Sequence, residues 1–187
     1  MIRDEQIAKL MGAIALALVL GALGFQYLVH LAPCEMCHWQ RWAHIAAAII
    51  GLVVWKRNRW VAPLVIVVVA IAGVLVADQM QNLPQIAIVA ALLAAVAWWK
   101  PNPTALAIAL VALSGLVGLY QTGMQYHVLP GPTACTAHRY VIGSGAAAPE
   151  TACDVPTWFF LGLALPAWNA IISLSAALAG LVVWKKK

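Results

Sequence analysis

Pro33-Cys34-Glu35-Met36-Cys37-His38-Trp39-Gln40-Arg41-Trp42 opens a long apolar run and sets two unusual features side by side. Cys34 and Cys37 form a C-x-x-C pair, a spacing that marks redox or metal chemistry. Arg41 follows Cys37 by four residues and lies inside the apolar run. A cation at membrane depth is costly, so it marks a functional site and calls for a partner. Pro33 keeps a helix from running in from upstream, which places the next helix start at about Cys34 to Cys37. A thiolate there is stabilised by the helix dipole and by the unpaired N–H groups of the first turn. Cys37, Arg41 and His44 are spaced i, i+4, i+7 and share one helix face. Four residues of helix rise about 6 Å. A flat, electron-accepting ring fits between the Cys37 sulfur and the Arg41 guanidinium, where Arg41 would stabilise negative charge developing on the acceptor oxygen. Gln40 adds a polar group beside it.

The composition around that stretch decides the class. Of 187 residues, 64% are hydrophobic and 9% are charged. Soluble domains carry about 25% charged residues, so this is a membrane protein. Six apolar runs stand out, at about 11–31, 38–55, 60–77, 84–99, 104–122 and 166–184. Most reach the roughly 17–25 residues that a bilayer core requires. The first is longer than the apolar part of a signal peptide, about 7–15 residues, and is expected to be an uncleaved span.

Positive charge orients the spans. Arg3 and Lys9 precede the first run. Lys56, Arg57 and Arg59 follow the second, Lys100 follows the fourth, and Lys185, Lys186 and Lys187 end the chain. With six crossings, all of these fall on one face. The formal charge of +5 therefore belongs to membrane-border loops, and no nucleic-acid partner is implied. The expected fold is all-α: a polytopic transmembrane bundle forming a single integral-membrane domain over 1–187. Residues 60–99 are expected to form a hairpin that crosses twice. The outer loops 32–37 and 123–165 then carry both cysteine pairs on the same face. The nine tryptophans, Trp39, Trp42, Trp158 and Trp168 among them, fall near predicted span ends, as interfacial belts do.

Several chemistries compete for the cysteines. Cys34-Glu35-Met36-Cys37-His38 also reads as C-x-x-C-H, the attachment pattern of c-type haem. That reading describes a haem-bearing membrane electron carrier and leaves Cys135 and Cys153 without a role. A four-thiolate zinc site would need a second close cysteine pair, which Cys135 and Cys153 do not provide; no metal is expected. A bond between Cys135 and Cys153 would close about 19 residues, worth about 3 kcal/mol as a plain structural link. Beside a C-x-x-C pair on the same face, an electron relay is the better reading. Arg41 alone reads equally well as a snorkelling arginine, and His44 alone as a buried histidine.

Taken together, the motifs resemble the DsbB family of bacterial membrane thiol oxidases. The resemblance is carried by the 33–42 stretch, by Gly131-Pro132-Thr133-Ala134-Cys135, by Cys153-Asp154, and by Trp158, Phe160-Leu161-Gly162-Leu163, Pro166 and Trp168-Asn169. It implies a four-helix core into which the 60–99 hairpin is inserted. It implies Cys34–Cys37 as the pair coupled to ubiquinone or menaquinone, and Cys135–Cys153 as the pair facing a periplasmic DsbA-like, thioredoxin-fold oxidase. Arg41 would be the quinone-side arginine; Gln40 and His44, by their places beside it on the helix, are expected as further contacts. The family often has a histidine near the quinone at the end of the helix before the long loop. Here Gln121 takes that place, and glutamine cannot take up a proton at neutral pH. The implied location is the bacterial inner membrane, with both termini cytoplasmic and the cysteine loops periplasmic. A vitamin K epoxide reductase-like enzyme shares the logic of quinone and C-x-x-C. Its pair is expected late in the chain, whereas this one is early.

Overall fold

A computed structural model describes residues 3–56, 102–132, 135 and 152–186. Four helices account for most of them: α1 (Asp4–Tyr27), α2 (Glu35–Lys56), α3 (Pro103–Gln125) and α4 (Leu165–Lys185). The apolar runs of the sequence fall inside them, but the helices end where their caps are. α1 starts at Asp4, seven residues before its run, because the Arg3 N–H is held by Gln6 Oε1 at 2.7 Å and Asp4 and Glu5 suit the first turn. α3 starts at Pro103 behind Asn102, whose side chain accepts from the Thr104 N–H at 2.9 Å. That pairs a side-chain cap with proline at the first helical position. α3 stops at Gln125 because His127 takes φ 58° and the Val128 N–H turns back to the Gly123 carbonyl at 2.8 Å. This is a Schellman closure with histidine in the left-handed place usually given to glycine.

The helices run alternately up and down. The end of α1 meets the start of α2 where Arg41 contacts Gln26, and Gly12 lies against Gly51 further along. Thr104 Oγ1 donates to the Asp4 carbonyl at 2.9 Å, so α3 starts beside the start of α1. Gly118 faces Pro166, and Gly180 faces Ile108, which makes α4 antiparallel to α3. Small residues permit these approaches: a Cβ on Gly12 would lie 2.6 Å from the Gly51 Cα. Membrane bundles pack through such small contacts, since lipid gives their helices no hydrophobic drive to associate. The exterior agrees. Leu10, Leu20, Leu113, Leu116, Leu119 and Leu178 are exposed, while Ala8, Ala15, Ala47, Ala107 and Ala177 are buried.

α1, α3 and α4 are long and apolar enough to cross a membrane. α2 spans 22 residues, about 33 Å at helical rise, but Glu35, His38, Gln40, Arg41 and His44 make its first turns polar. The described residues account for four of the six expected spans. The 60–99 hairpin lies outside them, and the bundle stands as four helices, three of them apolar enough to span.

The interior is layered. Near the helix ends that include both chain termini, Ile7, Met11, Ala47, Ala107, Ile108, Val111 and Ala177 form an apolar core. At the opposite end the core is sulfur-rich: Cys34, Met36, Met124, Cys135 and Cys153. Before α4, the two-residue strands β1 (Phe159–Phe160) and β2 (Leu163–Ala164) pair antiparallel. Leu161 and Gly162 connect them with φ 51° and 77°. Positive φ at both central residues is the signature of the tight hairpin turn whose twist matches its strands.

Candidate active site

Pro33 ends the link from α1, and α2 starts at Glu35, so Cys34 and Cys37 bracket the first helical turn. The two sulfurs are bonded to each other, and the Cys37 N–H donates to Cys34 Sγ at 3.2 Å. Cys135 and Cys153 form a second disulfide, and the Cys153 N–H donates to the Cys135 carbonyl at 2.7 Å. Cys34, Cys135 and Cys153 are buried in one cluster, while Cys37 is only half-buried against it. His38, the histidine of the C-x-x-C-H pattern, is exposed.

Gln121, one turn from the end of α3, connects the two pairs. Its Nε2 lies 3.1 Å from Cys34 Sγ, 3.8 Å from Cys37 Sγ and 3.4 Å from the Cys153 carbonyl. Its Oε1 accepts from Gln40 Nε2 at 2.7 Å. Gln40 Oε1 in turn accepts from Asn169 Nδ2 at 2.8 Å, and Asn169 Nδ2 also donates to the Ser114 carbonyl at 3.2 Å. Asn169 Oδ1 contacts His44 Nε2 at 2.9 Å and accepts from Ser173 Oγ at 3.1 Å. Gln40, His44, Ser114, Gln121 and Ser173 are all buried. They form one polar layer between the sulfur-rich and apolar cores, and nearly every group in it is paired, as burial requires. The exceptions among the described residues are His44 Nδ1 and Gln125 Oε1.

Arg41 points away from that layer toward α1. Nη1 donates to Gln26 Oε1 and Nη2 to the Ala22 carbonyl at 3.3 Å. A guanidinium has five N–H donors, so these bonds fix the fork and leave donors over.

Beside it lies a cavity of about 270 Å³. Leu18 and Phe25 of α1, Trp158 of the loop, and Trp168 and Ile172 of α4 give it apolar walls. Cys37, Arg41, Gln40, His44, Gln121 and Gln125 supply its polar atoms. Phe25 and Trp158 rings meet at 4.8 Å, and Trp158 stacks on Phe160 at 6.0 Å. The hairpin thus holds an aromatic wall at the outer end.

A family model described as disulfide bond formation protein DsbB matches residues 4–85 and 79–183. The chain belongs to the DsbB family. It is accordingly a membrane protein of disulfide-bond formation, an oxidoreductase that makes disulfides. The two matched segments of the DsbB model overlap at 79–85, inside the 60–99 run that the sequence marks as an insertion. Comparisons with curated proteins and with solved structures give no match.

Within this DsbB bundle six of the eight site residues named from the sequence line one cavity, and Cys135 is linked to it only through its bond to Cys153. Cys34, Cys37, Gln40, Arg41, His44 and Gln121 all border the cavity, and Cys153 meets it through Gln121. Several contributors were not singled out, among them Gln125, Ser173 and Phe25. Gln26 is a lone amide at the end of the first apolar run, which was the available signal. Asn169 entered only as part of a motif. Ser114 is a single hydroxyl in α3 that no sequence pattern distinguishes.

Proposed function

We propose that this chain is a bacterial inner-membrane thiol:quinone oxidoreductase that reoxidises a periplasmic DsbA-like dithiol oxidase. The observation that supports it most is a single one. The cavity beside Arg41 is lined by both cysteines of the inner pair, while the loop pair packs against that pair and is joined to it by Gln121. One disulfide thus adjoins both an apolar pocket and a second disulfide, as a relay requires.

The chemistry balances as two exchanges. A partner thiolate attacks the Cys135–Cys153 bond, forming a mixed disulfide and freeing the other loop sulfur. The second partner thiol resolves that mixed bond, so the partner leaves oxidised and the loop pair is left as a dithiol. Exchange between the pairs then re-forms Cys135–Cys153 and reduces Cys34–Cys37.

A flat ring with two oxygens suits the cavity: apolar walls, an arginine with spare donors at one edge, and unpaired buried atoms on His44 and Gln125. When bound, a quinone supplies the acceptor for the two electrons and two protons of the inner dithiol. Arg41 then orients one ring oxygen and favours negative charge there. Trp158, Phe25 and Trp168 exclude water. Cys37, the half-buried member of the pair, lines the cavity together with Cys34. Both termini are then cytoplasmic and both cysteine loops periplasmic.

The deciding experiment is anaerobic reoxidation of a reduced DsbA-like protein by the purified chain. Turnover that requires added ubiquinone or menaquinone is the expected result. Turnover without any quinone would reject the acceptor, and no turnover with it would reject the partner.

A further inference from the structure

The polar layer has a direction. The Ser114 carbonyl can only accept, so the Asn169 atom facing it at 3.2 Å is the amide nitrogen. The same nitrogen donates to Gln40 Oε1, which turns Gln40 Nε2 toward Gln121 Oε1. Gln121 Nε2 is thereby turned toward Cys34 Sγ and the Cys153 carbonyl. Three amides from α4, α2 and α3 stand head to tail, each donating to the next. Their last two N–H groups face one sulfur of the inner pair and the backbone of the loop pair. Aligned hydrogen bonds in a low-dielectric interior polarise one another.

A disulfide sulfur is a weak acceptor, whereas a thiolate makes short, charge-assisted bonds. The bond from Gln121 therefore strengthens when the pair is reduced. Two electrons entering the Cys34–Cys37 bond break it and leave two sulfur anions. Proton uptake neutralises one or both, and any charge that remains is favoured on Cys34, where the N–H points.

We propose that Gln121 is a positioning residue of the redox step: its amide, held by Gln40 and Asn169, stabilises the reduced state of Cys34 and raises the reduction potential of the inner pair. The direction of benefit rests on the thiol-oxidase reading, since a higher potential helps the inner pair draw electrons from the loop pair. The potential itself can be measured without partner or quinone, so the two readings fail separately.

The test uses the purified full-length chain, freed of quinone and equilibrated with mixtures of reduced and oxidised dithiothreitol. The inner pair is quantified by alkylation and mass spectrometry. In Gln121→Leu the equilibrium constant for reduction falls about tenfold, equivalent to about 30 mV for two electrons. Gln121→Glu falls further, because a carboxylate opposes a thiolate. Gln121→His, which keeps a ring N–H donor, stays within about threefold of wild type. Asn169→Leu leaves Gln121 in place but removes the start of the relay, and gives a smaller fall of about threefold. This variant carries the test if Gln121→Leu does not fold. Equal constants in wild type, Gln121→Glu and Asn169→Leu overturn the proposal. So does a Gln121→His constant as low as that of Gln121→Glu, since a purely structural role would not distinguish a donor from a carboxylate.

Discussion

Arg41 is the residue on which the snorkelling and site readings part. Its head group is held by α1. It is half-buried, with one nitrogen on Gln26 Oε1 and another on the Ala22 carbonyl. Both partners belong to α1, so Arg41 closes the cavity wall as well as charging it. A charge-assisted hydrogen bond in such a place contributes about 1.5–3 kcal/mol, and about 1.4 kcal/mol is tenfold. Arg41→Met is expected to raise the apparent KM for quinone about tenfold or more, with the cysteines still oxidisable by chemical oxidants. Arg41→Lys falls between, because an ammonium lacks the fork that holds two acceptors. Gln26→Leu frees one arm of the fork and gives a smaller rise in KM. A steady-state quinone titration of the three variants checks this order. The i, i+4, i+7 spacing made the shared face of Cys37, Arg41 and His44 legible. Their partners were not, because a glutamine in α1 and an asparagine in α4 meet α2 only through the tertiary fold.

At the scale of helices, the seam between α1 and α2 depends on two glycines. A Cβ on Gly12 meets backbone, not a side chain that can swing away. Gly12→Ala should destabilise the bundle by about 1–3 kcal/mol, the range for overpacking a tight contact. Gly21 lies on the same helix with nothing within 4 Å of an added Cβ. Gly21→Ala should be neutral or stabilising by about 0.5–1 kcal/mol, the helix penalty of glycine. Unfolding of both variants in detergent, side by side, separates contact from propensity. The apolar runs located all four described helices, because hydrophobicity reports the lipid-facing stretch. Their ends were less legible. Caps such as Asn102 and turns such as His127 depend on backbone geometry, and charged first turns extend a helix beyond its apolar part.

For the molecule as a whole, the two disulfides have different audiences. In the proposed relay the loop pair serves a protein partner, while the inner pair adjoins a cavity too small for one. Cys135→Ser or Cys153→Ser should abolish oxidation of the DsbA-like partner, yet leave part of the quinone-dependent oxidation of dithiothreitol, which is small enough to reach Cys34–Cys37. Full partner oxidation in either variant would remove the relay. The same architecture has a kinetic consequence. The cavity is walled by α1 and α4, two helices whose outward faces are lined with leucine and isoleucine. An acceptor that enters there arrives dissolved in the bilayer, so its effective concentration is a mole fraction of lipid, not a molarity. In micelles, doubling the detergent at fixed protein and fixed quinone should halve the local quinone density and double the apparent KM expressed in bulk units. Restoring the quinone-to-detergent ratio should restore the rate. On the quinone reading, turnover assays of this chain are expected to obey surface-dilution kinetics, and preparations should be compared at equal detergent loading.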